Sequence, residues 1–197
     1  TSFDETVYML PVPLDKPGNL DLGLKVMEDW AFNALLTDAE INKERGVVLE
    51  ELRLGLGPDK RMMDKWLPKM MYNSQYAKRL PIGKKNILEN FKPDVLRKFH
   101  KDWYRPDLMA LAIVGDINVD EIEKKIKANF GSYKNPSSPR GRTVFDIPNH
   151  KETLVSIEND PDATSSSVQF VMKDTEKYTP DVTVADYNKS ILDNVVA

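Results

Sequence analysis

Residues 40–54, E-I-N-K-E-R-G-V-V-L-E-E-L-R-L, join a helical apolar period to acids on one side, and no other stretch restricts the chain as much. With Asp38 as the cap, Ile41, Val48 and Leu52 form an apolar stripe at helical spacing. Glu44, Val47 and Glu51 then fall on the adjoining stripe, with the two acids two turns apart. A carboxylate beside an apolar face has to be paired, protonated or bound to a cation, because an isolated buried charge costs on the order of several kcal/mol or more. The expectation is a helix whose acids reach its buried side and mark a functional site.

Punctuation by proline and glycine divides the rest. Thr1 to Val12 reads as a strand, ended by Pro11, Pro13, Pro17 and Gly18. A helix follows through Leu20, Leu24, Met27, Ala31 and Leu35, and the acidic helix comes next. Gly55 and Gly57 stop it. Pro58 opens another helix with Met62, Met63, Trp66, Leu67 and Met70 turned to a core, and Pro68 kinks or ends it. Residues 73–86 read as a loop, and Pro93 to Trp103 as a helix with Val95, Leu96 and Phe99 inward. Leu108 to Val114 is apolar without alternation, the pattern of a strand covered on both faces. Asn118 caps a helix through Ile122, Ile126 and Phe130, with Gly131 as its stop. Two further strands, about 152–158 and 165–172, precede a last helix after Pro180. The fold class expected is α+β: a two-layer α/β sandwich, mostly antiparallel sheet with helices on one face.

The aperiodic, proline-containing stretch before His150 reads as a linker. The expected division is 1–134 as part of a first domain, 135–150 as linker and 151–197 as the start of a second. A chain of 197 residues with 41% hydrophobic residues has material for a core. Its net charge of −3 leaves no basic stripe for nucleic acid. No apolar run approaches the roughly 20 residues of a transmembrane helix, and the absence of cysteine removes disulfides and thiolate sites. The opening residues read as mid-strand and the closing ones as mid-helix, so the chain is expected to be a piece of a longer protein.

Three segments carry a resemblance to a known family. E-R-G-V-V-L-E-E, residues 44–51, resembles the helix that supplies the distal zinc ligand in the insulinase and pitrilysin metallopeptidases, the inverzincins with an H-x-x-E-H motif. T-S-F-D-E-T-V-Y at the start is similar to the strand that follows N-A-x-T in that family, with Thr1, Thr6 and Tyr8 at matching positions. Y-R-P-D-L-M-A-L-A-I-V-G-D-I, residues 104–117, is similar to its Y-x-P segment leading to a strand that ends in G-D.

The resemblance implies a zinc endopeptidase that hydrolyses peptide bonds through a metal-bound water. Glu51 matches the distal metal ligand and Glu44 an acid that supports the site. Glu50 is the competing assignment, about 100° away around the helix. Thr1, Ser2 and Phe3 would border the groove where a peptide substrate adds as a strand. The only histidines, His100 and His150, belong to no H-x-x-E-H and read as a helix-surface residue and a linker residue. Zinc is therefore expected in the full-length parent and not in this piece, which alone would be inactive. Expected partners are a peptide or unfolded polypeptide and the remaining domains of the parent or a paralogous subunit. Bacterial periplasm and cytoplasm both suit the family. Two rival readings stand beside this one: a non-catalytic scaffold or partner subunit of the same fold, and a peptide-binding α/β module.

Overall fold

The first helix, α1 (Asn19–Phe32), begins where Gly18 takes a left-handed φ of 86°. Its buried residues are Gly23 and Leu24. Val12 lies over Gly23 so closely that a Cβ there would sit 2.7 Å from its Cγ2, which is how the opening segment rests on α1. In this computed structural model, which describes residues 1–173 and 183–196, the remaining helices are α2 (Asp38–Leu54), α3 (Pro58–Met70), α4 (Lys85–Asn90), α5 (Pro93–Trp103), α6 (Val119–Phe130) and α7 (Val184–Val196).

Several boundaries follow local chemistry legible in the residues. Asn118 caps α6 by accepting the Glu121 N–H at 3.1 Å, and Gly131 closes it. Pro93 sets the first turn of α5. Two boundaries correct the sequence reading. Thr37, not Asp38, caps α2, accepting the Glu40 N–H at 3.3 Å. The expected loop 73–86 contains a 3-10 turn, Tyr76–Lys78, and the start of α4. Pro68 lies within the last turn of α3, which runs on to Met70.

The expected α+β sandwich is overturned. Among the described residues there is no strand and no sheet; the regular structure is helical. Residues 1–12, 108–114, 152–158 and 165–172 carry strand composition, but a strand exists only as a ladder with a neighbour. No such ladder forms. Outside the helices the backbone hydrogen bonds are local, the widest joining Asn73 N–H to Pro68 C=O. The apolar side chains of these segments are open as a result: Met9 is 81% exposed, Val114 96% and Phe170 92%. The 108–114 segment is not covered on both faces either, since Leu111 and Ile113 are half-buried while Ala110, Ala112 and Val114 are exposed.

The core is correspondingly small. Among the described residues its buried apolar members are Leu24, Ile41, Leu67 and Ile122, one each from α1, α2, α3 and α6. Val95 and Phe99 of α5, expected inward, are exposed. The accessible surface is 15926 Å², against about 9,500 Å² for a closed monomer of this mass.

Helix pairs, rather than layers, organise the chain. α1 packs on α6, where Phe32 stacks on Tyr133 at 3.9 Å and the Tyr133 hydroxyl donates to Glu28 at 2.7 Å. α2 packs on α4 and α5. Arg45 of α2 reaches the carbonyls that end α4, donating to Leu88 O and, at 2.8 Å, to Phe91 O, with its guanidinium 3.9 Å over the Phe91 ring. Arg97 of α5 donates to Leu36 O at 2.9 Å and pairs with Asp38 and Asp94.

Arg45→Met should remove two charge-assisted bonds to backbone carbonyls that have no other donor in view. We expect a loss of roughly 2–4 kcal/mol in urea-induced unfolding, with Arg45→Lys intermediate because it lacks the fork. A change within about 0.5 kcal/mol would show that Arg45 does not hold these helices together.

Candidate functional site

The inner side of α2 is used by Ile41, Arg45, Val48 and Leu52, which are buried or half-buried. Because successive residues are about 100° apart on a helix, the adjoining stripe of Glu44, Val47 and Glu51 is turned roughly 100° to one side of it. All three are exposed, Val47 at 57%. The expectation that the acids reach the buried side is therefore corrected: they lie on the bare face of α2, where solvent satisfies them.

That face has an unusual composition. Lys43, Gly46, Val47, Glu50, Glu51 and Leu54 border a shallow depression, and Leu54 is 72% exposed. Gly46 is in mid-helix with nothing within 4 Å of where its Cβ would be. The two neighbouring acids differ. Glu50 is gripped by Arg53, whose Nε and Nη2 donate to it at 2.8 and 2.5 Å, and this holds its carboxyl below the usual range. Glu51 and Glu44 make no side-chain hydrogen bond or ion pair with any described residue.

Thr1, Ser2 and Phe3 line a separate, larger groove of about 2340 Å³, whose walls include α1 and residues 108–115. Thr1 and Ser2 are exposed and Phe3 is half-buried, edge-on to Tyr76 at 5.3 Å. The Ser2 N–H already donates to Glu5 O at 2.8 Å, so this donor is not open to an added strand. Leu52 of α2 borders the groove while Glu51 does not.

Two contacts escaped the sequence reading. Tyr8 and Tyr104 meet hydroxyl to hydroxyl at 2.5 Å and thereby join two of the segments that carry the family resemblance. Burial, and then the Tyr8 bond, push the Tyr104 phenol well above its ordinary value. Tyr76 is the second: its hydroxyl donates to Asp4 at 2.8 Å and lies 2.9 Å from Phe145 O, so the stretch around Phe145 is fastened to the opening segment. The only advance signal for either was an aromatic residue with a polar tip.

No three His, Cys, Asp or Glu side chains converge on one point among the described residues. The described residues thus do not by themselves make a complete zinc centre, which takes three protein ligands. His150 stacks on Tyr72 at 4.7 Å. His100, expected on the helix surface, is instead half-buried, stacked on Tyr104 at 4.1 Å with its Nε2 enclosed and unpartnered.

Comparison with known proteins gives this geometry a family. A zinc protease PQQL-like protein of Arabidopsis thaliana is 33% identical over 174 residues, which cover 88% of this chain and 18% of that protein. The chain belongs to the M16 peptidase family. Residues 90–192 match the family model described as the Peptidase M16 inactive domain. Among solved structures, the first half of the periplasmic protease PqqL from Escherichia coli superimposes with a TM-score of 0.61 at 28% identity, covering 67% of this chain and 28% of that one. A mutant of the ferredoxin protease FusC in complex with Arabidopsis ferredoxin gives 0.63 at 27% identity, covering 68% and 15%. The chain spans less than a fifth of the length of the M16 relative from Arabidopsis. The resemblance read from residues 1–8, 44–51 and 104–117 is therefore met, and the insulinase and pitrilysin kinship holds. No described helix is long and apolar enough to cross a membrane.

Burial lowers the pKa of His100 from its ordinary 6.5. The folded chain thus binds fewer protons at this ring than the unfolded chain does, so stability should be level above about pH 6.5 and fall as pH drops below it. His100→Gln should flatten that limb in thermal melts taken between about pH 5 and 7; an unchanged slope would assign it to other groups.

Proposed function

We propose that this chain is the part of an M16 zinc endopeptidase that presents Glu51 as a metal ligand and Glu44 as a supporting acid. The observation that carries the reading is the contrast on α2: Glu50 is fastened by Arg53, whereas Glu51, one residue on, stands unpaired on a bare face. A ligand carboxylate needs this freedom, and a rigid helix fixes its direction. Gly46 supports the same face as a packing surface. Glycine in a helix interior costs about 0.5–1 kcal/mol relative to alanine, and here no described residue occupies the space it leaves. Close approach by another part of the parent, one carrying the histidine ligands, accounts for it.

When bound, zinc supplies Lewis-acid activation of water and of a peptide carbonyl. What this chain contributes is one carboxylate oxygen from Glu51, held by a helix that Arg45 and Arg97 fix in place. The open surface, well above that of a closed monomer, supports assembly with further domains of the parent or a paralogous subunit. The division at residues 135–150 remains our reading of where the second domain starts. One similar solved structure pairs a protease with ferredoxin, and by that likeness the substrate is a polypeptide, with Thr1, Ser2 and Phe3 at the border of its groove.

A second reading, a non-catalytic partner of the same fold, is favoured by the description of the matched model over 90–192 as an inactive domain. That stretch does not include α2. In the full-length parent, Glu51→Gln should lower zinc content and reduce peptide cleavage by roughly 100-fold or more, beyond the loss typical of an outer-shell change, while Glu50→Gln leaves both near the unmodified level. Unchanged turnover in Glu51→Gln would favour the partner reading. Gly46→Ala supplies an independent check. It should stabilise this 197-residue chain by about 0.5–1 kcal/mol yet lower zinc retention in the parent; gain in both would remove the packing role of this face.

A further inference from the structure

Arg61, Lys65 and Lys69 recur every four residues along α3, and Tyr72 follows three residues later in the turn beyond it, so all four side chains share one stripe. Each meets the segment after the linker, in reverse chain order. Arg61 holds Asp160 through both oxygens, Nε to Oδ2 at 2.7 Å and Nη2 to Oδ1 at 2.6 Å, and also reaches Asp162 at 2.7 Å. Lys65 stands 4.0 Å from Glu158. Lys69 is 3.8 Å from Glu158 and donates to Val155 O at 3.3 Å and Ser156 Oγ at 3.1 Å. The Tyr72 hydroxyl donates to Glu152 at 2.8 Å.

The side of the segment turned to α3 is polar. The side chains of Asp160 and Glu158 are only 9% and 17% exposed. The apolar residues point away, with Val155 67% and Ile157 89% exposed. Apolar burial therefore contributes little to this docking, and charge must supply it.

We propose that this stripe is an electrostatic latch: it keeps residues 152–162 on α3, and screening or neutralising its charges releases the segment and with it the chain beyond the linker. Bidentate pairing of this kind is the strongest form of surface ion pair, and several charges in a row make a network rather than an isolated contact. Salt at about 1 M shortens the screening length to about 3 Å, from about 10 Å at 0.1 M. Acid acts on the same groups. Asp160 faces Arg61 and, more distantly, Lys65, with Asp162 beside it; Glu158 faces Lys65 and Lys69; Glu152 faces Tyr72 and His150. The Arg61 pairing holds the Asp160 carboxyl at about 2, below its ordinary 3.8. Its contribution is complete above the ordinary value and is lost as pH falls through about 2.

The chain contains no cysteine, so spin labels at Asp59→Cys and Ile157→Cys report the distance between α3 and the segment by pulsed dipolar spectroscopy. In the 197-residue chain a single narrow distance is expected at about 0.05 M NaCl, broadening to longer distances at about 1 M. Arg61→Gln should already be broad at low salt, with helical circular dichroism unchanged. Asp160→Asn, placed in the segment, repeats the test without touching α3. A narrow distance that persists in high salt and in both variants, or one that sharpens with salt, overturns the latch.

Discussion

The grip of Arg45 on the end of α4 decides how this chain is built. A helix leaves its last carbonyls without partners, and α4 is too short to stand alone. One guanidinium answers two of those carbonyls and lies on the Phe91 ring, so α2, α4 and the start of α5 are fixed at one point. Arg97 repeats the device at the start of α2, on Leu36 O and Asp38. Because Arg45 belongs to the same stripe as Ile41, Val48 and Leu52, docking that stripe determines where every other side chain of α2 looks. Glu44 and Glu51 are turned outward by the same interaction that turns Arg45 in.

What the helices do not cover is as informative as what they do. Four buried apolar residues among those described are a small core for a chain of this length. Residues 1–12 and 108–114 lie open along a groove of about 2340 Å³, and residues 152–158 along α3. Apolar surface on this scale fits the assembly with further domains proposed above. Long-range cohesion is carried by polar tips instead: Tyr8 on Tyr104, Tyr76 on Asp4 and the linker, and Arg61 on Asp160. These contacts join residues distant in the chain without burying much area.

Helix positions were legible because their signals are local. Asn118 with Gly131, Pro93 to Trp103, and the glycines after Leu54 mark ends whatever else the chain does. Thr37 was missed because Asp38 offers an equally good oxygen one residue on, and α4 because six residues lack a period. The sheet is the larger departure from the sequence pattern. A strand pattern states which residues can pair, and pairing needs a second segment within reach; residues 108–114 have the composition and find no ladder. The same limit applies to the acids. Periodicity placed Glu44 and Glu51 on one face, and it was silent on whether anything in the chain covers that face. Angle alone separated Glu50 from Glu51 in the sequence; the Arg53 pairing that separates them chemically required coordinates.

A zinc-edge anomalous map from crystals of the parent protein bears most directly on the outward acid of α2. A carboxylate oxygen of Glu51 should lie within about 2.0–2.2 Å of the ion, with Glu50 still held by Arg53. An ion coordinated by Glu50, or by no residue of α2, would contradict the assignment.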